Sequence, residues 1–455
     1  IVIGGLIGFY FYTKNTTPSA TGPGTQQGRT NFGGYNPDAN INQPSTSTPI
    51  VSNPKATIKE VVIPKLRKIS EVPTAGFTFV TRQIFEDPNK NVEPADLSVT
   101  KKPQVKRPLK LVGASTTIRY IERGTAHIFE TSTSTLDKKR ISNTTEPKIY
   151  EAFFVDKGDN LIVRGLIGSS DIISTRYATL LTSSTTDTEE KTLEFKDLPI
   201  QISEVAISPS KTQLFSIMEN GVRGILSKID GGATVGIFDT PYREWIPSWP
   251  EERNILLTTK ASGFAEGFAY LLNTQTKQLT RVIGNIYGLT TKISPDLSKL
   301  IYSSSERGSF TLNLLDRKDL SRTELSLKTL PEKCVWAKTE KDVIYCAVPN
   351  NIAFSTYPDI WYQGLINFSD SIWKLNVITG ETRLITNTQE ETNEIIDAIN
   401  LDISASDDYL LFTNKTDLSM WGVQLVEPKP VVEINPLDSI PTGTTTKATT
   451  SPSSR

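Results

Sequence analysis

A short hairpin motif recurs along this chain, and its recurrence limits the possible folds more than any other feature. The clearest copy is residues 293–304, ISPDLSKLIYSS, in which a Pro-Asp turn separates two apolar runs. Pro295 fixes φ near the value that a turn needs, and the Asp296 side chain can accept a hydrogen bond from the backbone that follows. Related copies lie at residues 154–163, 207–216, 247–257, 335–345 and 403–412.

Two further predicted strands follow each hairpin, most clearly in residues 289–328. Four antiparallel strands repeated every 40 to 50 residues or so are the sequence pattern of a β-propeller. We therefore predict an all-β fold, a seven-bladed β-propeller of four-stranded antiparallel blades, with six or eight blades as the alternatives. The predicted blades are 74–145, 149–198, 202–239, 243–283, 288–328, 332–388 and 397–426.

The first and last predicted blades depart from the common pattern. The first lacks the turn motif and is predicted from strands at 76–81, 117–122, 125–131 and 139–142. The last ends after its third strand, at 420–426, and residues 65–70 are predicted to supply its fourth. An N-terminal strand in this position would complete the final blade, lock the ring and protect an open sheet edge.

The pattern Ser-Pro-Asp-x-x-Lys-Leu-x-Tyr at residues 294–302 resembles the WD40-like repeat of TolB-type propellers. This family resemblance implies an extracytoplasmic binding scaffold, and it does not name a partner.

The two ends of the chain differ in composition from the predicted propeller at 58–435. Residues 1–12, IVIGGLIGFYFY, are uncharged and apolar, and we predict the end of an uncleaved transmembrane anchor, with a signal-peptide remnant or a frayed N-terminus as the alternatives. Residues 13–57 are rich in Thr, Ser, Pro and Gly and predict a disordered linker, and residues 436–455 predict a disordered tail. Few basic residues follow the anchor, which favours a propeller outside the cytoplasm, at the cell surface or in the periplasm.

Charge and motifs exclude several classes of function. The formal net charge of −1 argues against a nucleic-acid partner. No G-x-S-x-G elbow and no phosphate-binding glycine loop is present, so no catalytic residue, cofactor or metal is predicted. Paired acids such as Asp407 and Asp408 are adjacent in sequence and would point to opposite faces of a strand.

Cys334 and Cys346 flank one of the hairpins symmetrically. Antiparallel pairing would place them opposite each other, within reach of a disulfide bond. The alternative is a pair of reduced cysteines in the core. A metal site would need additional cysteine or histidine ligands, which are lacking nearby.

Residues 349–368, PNNIAFSTYPDIWYQGLINF, interrupt the sixth blade between its second and third strands. This loop should emerge on the same face of the propeller as the links between blades. We predict a partner-binding role for its aromatic residues and one acid: Phe354, Tyr357, Asp359, Trp361, Tyr362 and Phe368. The alternative is a loop that folds back over the mouth of the propeller and uses its aromatic rings as a plug. Asp359 and Asp370 could accept hydrogen bonds from a hydroxyl-rich ligand, but we expect them to be solvated at the surface.

The sequence therefore predicts a non-enzymatic, membrane-anchored scaffold that binds a protein partner of the cell envelope. A carbohydrate-binding or glycan-processing propeller is the alternative, and it would bring aromatic rings and carboxylates together at the central funnel. A purely structural spacer is a third interpretation.

Overall fold

Seven separate sheets, each of four antiparallel strands, make up a seven-bladed β-propeller. The computed structural model describes residues 63–86, 110–135, 137–166, 172–182, 191–199, 201–218 and 221–426. The number of blades and the four-stranded antiparallel architecture confirm the prediction from the hairpin repeat. The predicted anchor, linker and tail lie outside these ranges. Within them, no helix has the length and apolar character that crossing a membrane requires.

Six of the blades are consecutive meanders whose innermost strand comes first in the chain. Blade 1 consists of β2 (Thr74–Glu86), β3 (Lys110–Glu122), β4 (Ile128–Ser132) and β5 (Lys138–Arg140). Blade 2 consists of β6 (Ile149–Val155), β7 (Asn160–Leu166), β8 (Ile173–Thr182) and β9 (Lys191–Asp197). Blade 3 consists of β10 (Ile202–Ile207), β11 (Gln213–Met218), β12 (Arg223–Lys228) and β13 (Val235–Asp239).

Blades 4 to 6 repeat this order. Blade 4 consists of β14 (Trp245–Glu251), β15 (Asn254–Thr259), β16 (Glu266–Asn273) and β17 (Leu279–Tyr287). Blade 5 consists of β18 (Thr291–Ile293), β19 (Lys299–Glu306), β20 (Ser309–Asp316) and β21 (Arg322–Glu324). Blade 6 consists of β22 (Cys334–Trp336), β23 (Val343–Pro349), β24 (Asp370–Asn376) and β25 (Thr382–Asn387). In the described ranges the helices are short: two 3-10 turns, Asp156–Gly158 and Pro331–Lys333, and two α-helical turns, α1 (Asp359–Tyr362) and α2 (Thr388–Thr392).

Blade 7 combines strands from both ends of the described chain. It contains β26 (Ala398–Ile403), β27 (Tyr409–Asn414), β28 (Met420–Gln424) and, as its outermost strand, β1 (Leu66–Ser70). Leu66 lies opposite Val423 and Lys68 lies opposite Trp421. The side chain of Arg67 extends further and donates hydrogen bonds to the carbonyl oxygens of Ser132 (2.6 Å) and Thr135 (2.5 Å), in blade 1.

The hairpin motif folds as its residues require. Asp296 accepts hydrogen bonds from the Ser298 backbone N–H (3.0 Å) and from the hydroxyl of Ser294 (2.6 Å). Burial alone would raise the pKa of Asp296, but hydrogen bonds from Ser294 and Ser298 outweigh it and lower that pKa to about 2. The Ser294 hydroxyl oxygen also accepts from the Lys299 N–H, and the corresponding serines, Ser208 and Ser404, make the same bond in their own turns.

Leu300 and Ile301, in the apolar run after this turn, are fully buried in two different core clusters. Seven core clusters lie between blades, and each of these joins strands of neighbouring sheets. Blades 6 and 7, for example, share a cluster that contains Ala347, Ile372, Phe412 and Trp421. The ring is therefore held together by contacts between sheets, because hydrogen-bonded ladders stay within each blade.

Cys334 and Cys346 lie directly opposite each other on β22 and β23 and form a disulfide bond. This confirms the pairing predicted from their symmetric spacing. Blade 1 differs from its prediction. Its first two strands are each 13 residues long and pair with each other over their whole length, whereas the sequence predicted strands at 76–81 and 117–122.

Candidate functional site

The loop between β23 and β24, residues 350–369, is the longest described excursion from the blade pattern, and we call it the blade-6 insertion. It contains α1, which ends at Tyr362, and two residues later Gly364 has a φ of +72° that reverses the chain. The insertion contacts loops of the neighbouring blades on one side of the ring: the second-to-third-strand loops and the links between blades. We call this side the insertion face, and it is the side on which the sequence predicts this loop to emerge.

Three of the predicted binding aromatics are buried. Tyr357, Trp361 and Phe368 pack in one cluster with Phe310 and Leu330. The Tyr357 ring lies 4.9 Å from that of Phe310, and the Trp361 ring lies 6.0 Å from that of Phe368. This packing is the arrangement expected of the plug alternative.

Asp359 and Tyr362 are used to attach the insertion to other blades. The Asp359 carboxylate accepts hydrogen bonds from the Ser262 hydroxyl and the Gly263 N–H, each 2.7 Å long, in blade 4. The Tyr362 hydroxyl donates to Glu332, in the link before blade 6. Burial raises the pKa of both Tyr362 and Glu332, which is consistent with a hydrogen bond shielded from water.

Phe354 is the predicted aromatic that remains outside, with 87 % of its surface exposed. Two further aromatics on loops of the insertion face are exposed: Phe264, 78 % exposed, and Tyr287, 48 % exposed. We call Phe264, Tyr287 and Phe354 the aromatic patch. No local sequence signal marks Phe264 or Tyr287, because each is a single aromatic at the end of a strand or in a short loop.

Hydrogen bonds connect the backbone segments that carry this patch. The Ser355 N–H donates to the Gly308 carbonyl (2.9 Å), and the Gly288 N–H donates to the Ser262 carbonyl (2.8 Å). The Ser305 hydroxyl donates to the Tyr357 carbonyl (2.6 Å). Together with the two bonds to Asp359, these contacts fix loops of blades 4, 5 and 6 to one another, so the patch stands on a supported platform.

A buried ion cluster lies beneath the insertion. The Lys333 ammonium group contacts the carboxylates of Asp370 (2.8 Å) and Asp397 (2.5 Å), and all three side chains have an exposed fraction of zero. The expectation of a solvated Asp370 is wrong, because this residue begins β24 under the insertion and pairs with a lysine from the link before blade 6.

Two adjoining cavities occupy the centre of the ring. One, of about 650 Å³, is lined by residues of the innermost strands of blades 1, 2, 3 and 7, including Glu151, Glu204 and Asp402. The second, of about 620 Å³, extends from Glu204 towards Glu332 and Tyr362. The two share Ser203 and Glu204, so Glu204 lies between them. Burial raises the pKa of Glu204, and the nearby Arg164 opposes that rise.

The sequence matches no protein-family model and no curated protein. Solved structures with a similar course of the chain include an oligogalacturonate lyase in complex with manganese, with 12 % identity, a TM-score of 0.46, and coverage of 78 % of this chain and 99 % of that one. The oligogalacturonate lyase of Vibrio parahaemolyticus has 11 % identity and a TM-score of 0.45, with coverage of 69 % of this chain and 87 % of that one. The tricorn protease has 10 % identity and a TM-score of 0.44, with coverage of 68 % of this chain and 32 % of that one. The propeller assignment rests on the seven sheets and not on these matches.

Proposed function

We propose that this protein is a non-enzymatic binding scaffold that recognises a protein partner through the insertion face. The observation that carries the proposal is the aromatic patch, three exposed rings on loops that hydrogen bonds fix in place. Exposed aromatic side chains on a rigid support are typical of interface centres, because they bury a large area at a small cost in conformational entropy.

The distribution of exposed apolar side chains over the two faces supports this choice. Among the residues whose side chains the structure describes, the strongly exposed aromatics all lie on the insertion face: the aromatic patch and Tyr242, in the link between blades 3 and 4. On the opposite face the exposed apolar side chains are aliphatic and come from separate segments: Leu181, Val235, Leu279, Leu320, Ile378 and Val426. Scattered aliphatic residues are normal on a soluble surface, whereas grouped aromatics favour an interaction site.

We further propose that the scaffold is anchored in a membrane and lies outside the cytoplasm, with an envelope protein as its partner. The apolar residues 1–12 and the linker composition of 13–57 support this proposal, as does the resemblance of the hairpins to the WD40-like repeats of TolB-type propellers. The pairing of β1 with β28 supports the predicted role of residues 65–70 in closing the ring.

The double substitution Phe264→Ser and Phe354→Ser tests the role of the aromatic patch. Each ring is expected to contribute at least 1 kcal/mol or so to binding, and therefore the pair should lower the affinity roughly tenfold to a hundredfold. The full chain with an affinity tag would be cross-linked in cells that produce it, and the captured protein quantified by mass spectrometry. Both side chains are exposed, so the unfolding transition should not change.

Leu320→Ser is the matched control, because Leu320 is 70 % exposed on the opposite face. A partner captured by the wild type and by the control, but lost from the double variant, supports the proposal. Equal capture by all three chains contradicts a role for the patch, and capture of nothing above background favours the spacer interpretation.

The central cavities favour a second candidate function, the binding of a carbohydrate. Three carboxylates, Glu151, Glu204 and Asp402, converge on the larger cavity. Phe77, Tyr150 and Phe153 also line this cavity, and the rings of Phe77 and Phe153 pack in part against the cores between blades. Carboxylates accept hydrogen bonds from sugar hydroxyls, and aromatic faces pack against sugar rings, so this wall has the composition that the glycan hypothesis required.

If this second function holds, calorimetric titration with a panel of oligosaccharides should detect a ligand that binds at least tenfold more weakly to Glu204→Gln. The expected loss reflects the removal of a charge-assisted hydrogen bond, about 1.5–3 kcal/mol. Glu340→Gln removes the same charge from the opposite face and should leave binding unchanged. Equal affinity of the wild type and Glu204→Gln for every ligand of the panel would exclude this role of Glu204.

A further inference from the structure

The buried ion cluster contains one positive and two negative side chains. Lys333 comes from the link before blade 6, Asp370 from the start of β24, and Asp397 from the link before blade 7. The Lys333 ammonium group also donates to the Ala398 carbonyl (3.0 Å). With both carboxylates ionised, the cluster carries one excess negative charge in a site without solvent exposure, which is costly.

Asp397 connects this cluster to the blade-6 insertion. Its Oδ2 atom accepts hydrogen bonds from the Trp361 indole N–H (2.7 Å) and from the Phe368 backbone N–H (3.1 Å). The Lys333 ammonium nitrogen lies 5.2 Å from the centre of the Trp361 ring and 5.3 Å from that of Phe368. The middle and the end of the insertion are thus attached to the same three charged groups.

Of the two carboxylates, Asp370 has the fewer hydrogen-bond partners. Its Oδ2 atom is bonded to Lys333 and to the Ala398 N–H (2.7 Å), but its Oδ1 atom is buried without a hydrogen-bond partner in the described part of the chain. From α2, the neutral Thr388 hydroxyl donates to the Asp370 carbonyl. The charged groups that face Asp370 are therefore Lys333 and Asp397; Lys415 lies beyond them, over the Trp361 ring.

We propose that uptake of a proton by the Lys333–Asp370–Asp397 cluster strengthens the attachment of the blade-6 insertion, so that the insertion face is most rigid at mildly acidic pH. One proton on Asp370 neutralises the cluster and turns an oxygen atom without a partner into a hydroxyl group. The effect on partner binding rests on the proposed function, whereas the attachment of the insertion does not.

The direction and size of the pH effect follow from linkage. Burial raises the pKa of Asp370 from 3.8 to about 6, and Lys333 only partly opposes the rise. An acid whose pKa is higher in the attached state binds its proton more tightly there, so attachment strengthens as pH falls from 7 towards 4. If detachment returned Asp370 to its ordinary pKa of 3.8, the equilibrium constant for attachment would rise about tenfold between pH 7 and pH 5, and this is the upper limit of the effect.

Hydrogen–deuterium exchange of the full chain tests this proposal. The amides of Tyr362, Gln363 and Leu365 report on the insertion, because their hydrogen bonds lie within it. Their protection factors, which are corrected for the intrinsic exchange rate at each pH, should rise by up to about tenfold from pH 7 to pH 5 in the wild type. Asp370→Asn cannot titrate, so most of this rise should be lost, and the remainder reports on Glu332, which accepts a hydrogen bond from Tyr362.

Asp319→Asn, at an exposed turn of the opposite face, is the matched control and should keep the wild-type rise. A wild type without a pH-dependent rise, or an Asp370→Asn variant that retains it, would overturn the proposal. If Asp370→Asn does not fold, the wild type alone provides the test. The protection factors of the insertion amides, divided by those of the β7 amides, should rise from pH 7 to pH 5, and a constant ratio would overturn the proposal. No partner is used, so the result is independent of whether the proposed function is correct.

Discussion

Replacing Lys333 by methionine is expected to lower the free energy of unfolding by about 3–5 kcal/mol, because it leaves two buried carboxylates without their cation. Asp370 and Asp397 have no solvent exposure through which water could replace the lost ion pair. Chemical denaturation of the full chain at pH 7, followed by tryptophan fluorescence, measures the change. The deficit should shrink at pH 5, where protonation removes part of the uncompensated charge.

Lys374→Met is the control for a lost lysine. Lys374 pairs with Glu340 (2.6 Å), and both side chains are partly exposed, so its removal should cost less than about 1 kcal/mol. Similar effects of the two substitutions would mean that the buried cluster contributes no more than a surface pair, and that the blade-6 insertion does not depend on Lys333 for its attachment.

Removal of β1 is expected to have an effect of comparable or larger size. A chain that begins at residue 72 lacks Leu66, which is buried in the core between blades 6 and 7, and also lacks Arg67, which bonds to blade 1. Loss of a buried leucine alone costs about 2–5 kcal/mol, close to half of a typical domain stability. We therefore expect the truncated chain to lose its cooperative unfolding transition, or to self-associate through the exposed edge of β28.

A chain that begins at residue 60 retains β1 and is the matched control. Its thermal unfolding, followed by circular dichroism and by scanning calorimetry, should coincide with that of the full chain. A chain from residue 72 that unfolds cooperatively at the same temperature would show that the fourth strand of blade 7 is dispensable, and that the ring is closed by contacts between blades.

Much of the fold could be predicted from the sequence because the information is local. Pro295 and Asp296 define a turn, and the apolar residues after it define a buried strand. The pairing of Cys334 with Cys346 also followed from spacing, since antiparallel strands on either side of a tight turn bring symmetric positions together. The length of β2 and β3 could not be predicted in this way, because their outer halves pair with each other and carry no turn signal.

The site was harder to predict than the fold. The buried residues of a strand recur at a regular spacing in the sequence, whereas those of a loop do not. The same aromatic-rich sequence can protrude or fold back, and the choice depends on partners far along the chain. Trp361 is buried because Asp397 accepts its indole N–H, and Phe354 protrudes from a segment that is bonded to Gly308. The loop that carries Phe264 is fixed in part by Asp359, which lies almost a hundred residues later and accepts a hydrogen bond from the adjacent Gly263.

The antiparallel pairing of β1 with β28 has a mechanical consequence. Lys65, where the chain enters blade 7, lies beside Gln424, where it leaves, and the Gln424 N–H donates to the Lys65 carbonyl. A force that pulls the two ends apart therefore acts at one end of this ladder. It loads the strands in the unzipping geometry, in which the hydrogen bonds break one after another. The strands are not loaded in shear, so blade 7 is the part of the ring that yields first under tension.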